Sequence, residues 1–251
     1  MTALNPGVSK PETVIQLPSY EDLRKAGQFV DRSQAARRLC WAVNGPLTDA
    51  ISVIEKPWID QDTVAEPYYR HESAAGNASS WHPVSQCPYT EPKVSSVTVT
   101  VSPLNEWERQ WFELHEEHTE LDFPDLDPKE VVYGSLSNFD PERDEEGLEH
   151  LLRCCGLDRP RDKRARLVVK ATGAFVTVHD YVSTVHPWLM SLREDCLAAL
   201  GVFDEKSLPA ETKLMVAWQG GPQEVAIREE TTWIRHSGKR LDYGLLPRRR
   251  A

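Results

Sequence analysis

The sequence predicts an α+β protein, an antiparallel sheet with packed helices, and three observations predict it. Residues 94–101 read Val-Ser-Ser-Val-Thr-Val-Thr-Val, the period-2 pattern of a strand with one buried face. Trp107, Trp111, Leu114, His118 and Leu121 recur at spacings of four, three, four and three, which puts them on one side of a helix. Towards the C-terminus, short runs rich in Val, Leu and Ile are separated by Thr172-Gly173 and Gly220-Gly221, the punctuation of hairpins.

In chain order, residues 1–18 hold three prolines and no period, and are expected to form a disordered arm. Residues 19–55 are expected to be a helical segment, with Ser33 capping a helix over 34–43 that Gly45-Pro46 stops. Residues 56–92 are rich in Pro, Ser, Gly and Asn with isolated aromatics. They read as an irregular segment packed by those aromatics, or as a linker. An α+β domain is expected over 93–245. In it the strand at 94–101 ends at Ser102-Pro103, and Asn105 caps the acidic helix that follows. A short strand is expected over 131–133, and a helix over 145–155 closed by Gly156. A hairpin over 166–178 should then lead into a helix from Asp180 to Leu200, kinked or broken after His186 by Pro187. A second hairpin over 213–227 completes a C-terminal ββαββ unit.

Composition narrows the function classes. The 251 residues carry a formal net charge of −10, with 40% hydrophobic and 27% charged residues. From Asn105 to Gly147 there are fifteen Asp or Glu against Arg109, Lys129 and Arg143, a local −12, so the remainder is close to neutral. Such a balance opposes binding to a phosphate backbone, where affinity comes from Lys and Arg releasing counterions, and no nucleic-acid partner is expected. A basic protein surface is the implied complement. No run of about 18 apolar residues is present to span a bilayer, and residues 1–10 lack the apolar core of a secretory signal, so no membrane partner is expected. The five cysteines are scattered and odd in number, which favours thiols over a disulfide framework. The expected compartment is the cytoplasm, with the nucleus as the alternative raised by Arg248, Arg249 and Arg250.

Few residues suggest chemistry. His115 and His118, three apart on the acidic helix, share a face and are the candidate metal ligands. Their spacing is one short of the zincin order, and His118 lies in the apolar stripe, where a packed histidine is the ordinary outcome. His179-Asp180 and His186 frame the start of the C-terminal helix, but adjacent helical residues diverge, so Asp180 reads as an N-terminal cap. Cys154 and Cys155 read as buried small hydrophobes at a helix end. No Gly-x-Ser-x-Gly, P-loop, Gly-x-Gly-x-x-Gly or Cys-x-x-Cys is present. No cofactor is expected.

Two segments resemble known families. Val131-Val132-Tyr133-Gly134-Ser135-Leu136 resembles the strand and Tyr-Gly-Ser/Thr-Leu loop that opens the γ-glutamylcyclotransferase-like fold. That resemblance implies a pocket lined by Tyr133, Gly134, Ser135 and Leu136, with Glu194 as the acid, in a small-molecule enzyme. Phe175 to Leu189 resembles a segment of uncharacterised fungal proteins grouped as domains of unknown function, which implies a fungal source and no activity. Taken together, the sequence predicts a non-catalytic protein-interaction or scaffold protein with an acidic surface, with the cyclotransferase-like enzyme as the alternative.

Overall fold

The computed structural model describes residues 17–58, 63–71, 78–115, 131–136, 139–142, 144, 146–147, 149–161, 163–203 and 206–237. The architecture is α+β. The arm expected over 1–18 lies outside the described residues up to Gln16, and Pro18 accepts a hydrogen bond from Ser95 N at 3.0 Å.

In chain order the elements begin with α1 (Tyr20–Lys25), β1 (Asp31–Arg32), β2 (Leu39–Trp41), α2 (Leu47–Ala50) and β3 (Ile51–Ile54). Then come β4 (Ala65–Pro67), β5 (Tyr69–Arg70), β6 (Ser80–Trp81), β7 (Thr90–Glu91), β8 (Ser96–Val101) and α3 (Ser102–His115). The small strands β9 (Val132–Gly134), β10 (His150–Cys154) and β11 (Leu157–Asp158) precede β12 (Arg166–Lys170). The chain closes with α4 (Val178–Ser191), α5 (Arg193–Phe203), β13 (Leu214–Ala217), β14 (Glu224–Glu229) and α6 (Glu230–Ser237). Among the described residues no helix is long and apolar enough to cross a membrane.

The main sheet has the order β12-β8-β14-β13. Its centre is the strand whose alternation was plainest: Val97, Val99 and Val101 of β8 are fully buried, with half-buried residues between them. β8 runs antiparallel to β12 and parallel to β14, with Val225 opposite Val101. The second predicted hairpin forms, Ala217 pairing with Ala226 and Leu214 with Glu229. The first does not. β12 pairs with β8, and the stretch after Gly173 runs between two other segments, Val176 N donating to Val94 O and Tyr89 N to Val176 O, both at 2.9 Å. A long-range strand outcompetes the local turn, and the C-terminal unit is β12-α4-α5-β13-β14 completed by β8 rather than ββαββ.

The helix expected over 34–43 is replaced by a single 3-10 turn at Ala36–Arg38 and by β2. Ser33 still caps, accepting from Ala36 N at 3.2 Å. Beyond that turn, β2 pairs with β3, and Val43 N donates to Leu214 O at 2.8 Å, so sheet pairing overrides helical propensity. Residues of the 56–92 segment are tied in: β7 pairs with β1, Pro88 bridges Thr177, and Tyr68 and Tyr89 are fully buried. One hydrophobic cluster runs from Tyr20 through Tyr68 and Tyr89 to Ile227.

α4 carries the stripe Val178, Val182, Val185 and Leu189 onto this cluster and continues through Pro187. The expected break comes later, at Leu192, whose N–H bonds Trp188 O and Leu189 O before α5 starts. Proline removes one hydrogen bond from the helix, and the fully buried stripe on either side holds its course. α4 begins with a capping box: Asp180 N donates to Thr177 Oγ1 at 3.0 Å and Thr177 N to Asp180 Oδ2 at 2.9 Å, while Thr172 Oγ1 donates to Asp180 Oδ1 at 2.7 Å. Burial pushes the Asp180 carboxyl up, but these donors outweigh it and hold the group below its ordinary value. A carboxyl depressed in the folded state stabilises above its unfolded value and loses that contribution as pH falls through the folded one. Asp180→Ala is therefore expected to cost about 1–2 kcal/mol near neutral pH. In urea titrations run at several pH values, its gap from the parent chain should begin to close below about pH 4.

Candidate functional site

The acidic helix and the small sheet form a layer beside the main core. α3 starts at Ser102, and Asn105, expected to cap it, instead donates from Nδ2 to Thr100 Oγ1 at 3.0 Å. The helix expected over 145–155 is a strand: β10 lies between β9 and β11. Leu151 pairs with Tyr133, and Cys154 with Leu157. Gly156 does adopt the left-handed conformation expected of it (φ +77°), but as the second residue of the β10–β11 turn rather than past a helix end. Leu151 and Cys154 pack on Trp111 of α3, flanked by Val131 and Val202.

Charge fastens the layer. Glu108 of α3 accepts from Arg159 Nε at 2.8 Å and from Arg161 Nη1 at 3.0 Å, and Arg161 Nη2 reaches Asp144 at 2.6 Å. These side chains are at most 12% exposed, so the pairs are little screened. Burial raises the Asp144 carboxyl, yet the Asp140 N–H and the Arg161 guanidinium together hold it below its usual value.

The layer exposes both apolar and charged side chains, with Glu113 paired to Arg109 and Asp158 to Arg153. Phe112 and Leu114 of α3, Val132 and Tyr133 of β9, and Leu157 of β11 are between 39% and 50% exposed. The Arg159 guanidinium lies over the Phe112 ring, 5.6 Å from its centroid. Glu113, Glu142, Glu149 and Asp158 are exposed on the same elements and the loop between them.

His115, at the end of α3, is buried and stacks on Trp111 with centroids 4.5 Å apart. Its Nδ1 lies 2.6 Å from Trp111 O, and because a carbonyl only accepts, Nδ1 carries the hydrogen. The ligand atoms of His115, Cys154 and Cys155 all lie within 4.8 Å of one another. His118, the other expected ligand, is outside the described residues. The two cysteines were legible only as a Cys-Cys-Gly turn closing a hairpin, a reading that the helix expected over 145–155 concealed.

The other candidates separate. Tyr133 is exposed on edge strand β9, and Gly134 pairs with His150. The Leu152 side chain occupies the space beside Gly134, 2.9 Å from where a Cβ would stand. Ser135 is exposed and Leu136 half-buried. Glu194 is exposed in the first turn of α5, whereas Val202, the α5 residue touching the layer's core, lies about 12 Å further along the helix at 1.5 Å per residue. Among the described residues, no hydrogen bond or ion pair joins Glu194 to residues 133–136. A cleft of about 180 Å³ lies between Ser102, Glu106, Gln110, Leu200, Leu208 and Arg228, and a second of about 360 Å³ beside Lys206 and Lys213; residues 133–136 line neither.

His179 and Asp180 diverge as adjacent helical residues must. His179 Nδ1 lies 3.3 Å from the Tyr68 hydroxyl and its ring packs on Trp81, with burial lowering its pKa against the opposing charge of Asp180. His186 accepts from Trp41 Nε1 at 3.0 Å and faces Gly45 O at 2.9 Å through Nε2, so both nitrogens serve the core. Burial pushes the Cys40 thiol up to about 11 and the Cys196 thiol up to about 12, away from reactivity.

Compared with known proteins, the chain matches no family model, no curated protein and no solved structure.

Proposed function

We propose that the chain is a non-catalytic interaction protein whose binding face is the α3/β9–β11 layer, and that it takes a basic segment bearing apolar side chains. The observation that carries this reading is that Phe112, Leu114, Val132, Tyr133 and Leu157, five large apolar side chains, are exposed on the elements of this one layer, which also exposes Glu113, Glu149 and Asp158. Exposed large apolar side chains mark binding surfaces, and an excess of one sign of charge steers a partner of the opposite sign. In the sequence, the stretch from Asn105 to Gly147 that includes α3 and β9 carries a net charge of −12. The cytoplasm is the compartment we favour, supported by Cys40, Cys87, Cys154, Cys155 and Cys196 all standing outside any disulfide.

The test is fluorescence anisotropy with a labelled amphipathic lysine–leucine peptide. Saturable binding is expected, weakening as salt screens the acidic face. Phe112→Ser and Leu157→Ser should each weaken it about fivefold to tenfold, or about 1–1.4 kcal/mol, and Glu113→Lys should slow association. Binding indifferent to these changes would remove the layer from consideration.

A further inference from the structure

We propose that His115, Cys154 and Cys155 supply three donors of a site for a zinc-class divalent ion. The donor set comes from two elements that meet only in the folded chain, the last turn of α3 and the β10–β11 turn. Successive side chains of a strand point to opposite faces, so adjacent cysteines are ordinarily kept apart. Here Cys155 has φ +50° and Gly156 φ +77°, the two positive values of a type I′ hairpin turn, and the Cys154 and Cys155 sulfurs lie 3.8 Å apart. Two thiolates held at ~2.3 Å from one tetrahedral ion are about 3.8 Å from each other.

The turn itself argues for a selected thiol. The first position of a type I′ turn favours Asn, Asp or Gly, and a cysteine there occupies a left-handed conformation that costs a side chain with a Cβ. Among the described residues Cys155 is the one non-glycine with positive φ. Strain of this kind persists where the side chain has a use. An imidazole whose Nδ1 hydrogen is held by a carbonyl, as His115's is by Trp111 O, is the arrangement found behind metal-bound histidines. Two sulfurs and an imidazole select zinc-class ions over calcium or magnesium, which take oxygen donors. Binding sends both thiol protons to solvent and leaves the imidazole neutral. Cys155 is exposed, which gives the ion a path in, and Arg153 beside the turn donates to Gly156 O at 3.2 Å and pairs with Asp158.

Cobalt(II) reports the site directly, since thiolate ligation gives a near-ultraviolet charge-transfer band and tetrahedral geometry gives intense visible bands. The reduced full chain, stripped with chelator, is expected to bind one equivalent with both signatures and to gain melting temperature with zinc. Cys155→Asn places the residue the turn prefers, so that variant folds, with a melting temperature without metal equal to or above that of the parent. Its thiolate band should fall by about half, and its cobalt affinity should drop at least about tenfold, the scale of losing a metal-site interaction. His115→Ala should lose affinity likewise, and Cys40→Ser should change nothing. Absence of a thiolate band in the parent, or a band of undiminished strength in Cys155→Asn, would overturn the proposal.

Discussion

Arg32→Met is expected to destabilise the protein by about 2–4 kcal/mol, which should appear as a fall of about 1 M in the urea midpoint. Arg32 is 5% exposed, and its guanidinium donates to Gly220 O at 2.9 Å, Gly221 O at 2.6 Å and Glu224 O at 2.7 Å. Two of these carbonyls belong to the connection between β13 and β14 and the third to the first residue of β14, and the Trp218 ring lies beneath the charge at 5.3 Å. Methionine fills part of the volume but leaves the carbonyls without their donor, and an unsatisfied buried acceptor costs about 1–3 kcal/mol. Arg32→Lys should recover less than half of the loss, because an ammonium cannot fork across three acceptors. Equal stability of the methionine variant and the parent would show that the connection stands without its clamp. The consequence reaches the proposed binding face, since α3 packs on β14.

Trp41→Ala is expected to cost a similar amount, about 3–5 kcal/mol. Trp41 is fully buried, sits edge-on to Tyr181 at 6.3 Å, and donates from Nε1 to His186 Nδ1. It joins β2 of the N-terminal part to α4 of the C-terminal part, so the cavity opens at the seam between them. Trp41→Phe separates the two contributions: it keeps most of the volume and leaves His186 Nδ1 without a donor, for an expected loss of about 1–3 kcal/mol. If the phenylalanine variant matched alanine in a denaturation series, the hydrogen bond rather than the packing would dominate the seam.

Elements governed by their own periodicity were legible in the sequence. β8 was readable because Val97, Val99 and Val101 alternate with Thr, and the β13–β14 hairpin because Gly220-Gly221 separates two apolar runs. The stripe of α4 was readable as well, although the break assigned to Pro187 falls at Leu192. What escaped was set by distant partners. Residues 39–43 carry a helical pattern, but Val43 finds Leu214, and 166–170 precede a good turn, but β8 supplies a better neighbour. Local pattern holds no information about a strand that arrives from elsewhere in the chain.

The site shows the same division. His115 was singled out from its place on the acidic helix, whereas its partner cysteines lie far downstream. There, one glycine is equally suited to ending a helix or turning a hairpin, and the helix reading hid the turn. The exposed apolar residues could not be recognised in advance either. The layer that carries them forms where Leu151 and Cys154 of β10 pack on Trp111 of α3, residues far apart in the chain.

The central claim is that the α3/β9–β11 layer, rather than the main sheet or its clefts, meets a partner. Hydrogen exchange of the intact chain, alone and saturated with the lysine–leucine peptide, tests it most directly. Added protection is predicted to be confined to segments covering 106–115, 131–134 and 150–158. Protection centred on the cleft around Ser102, Leu200 and Arg228, with the layer exchanging as before, would contradict the account.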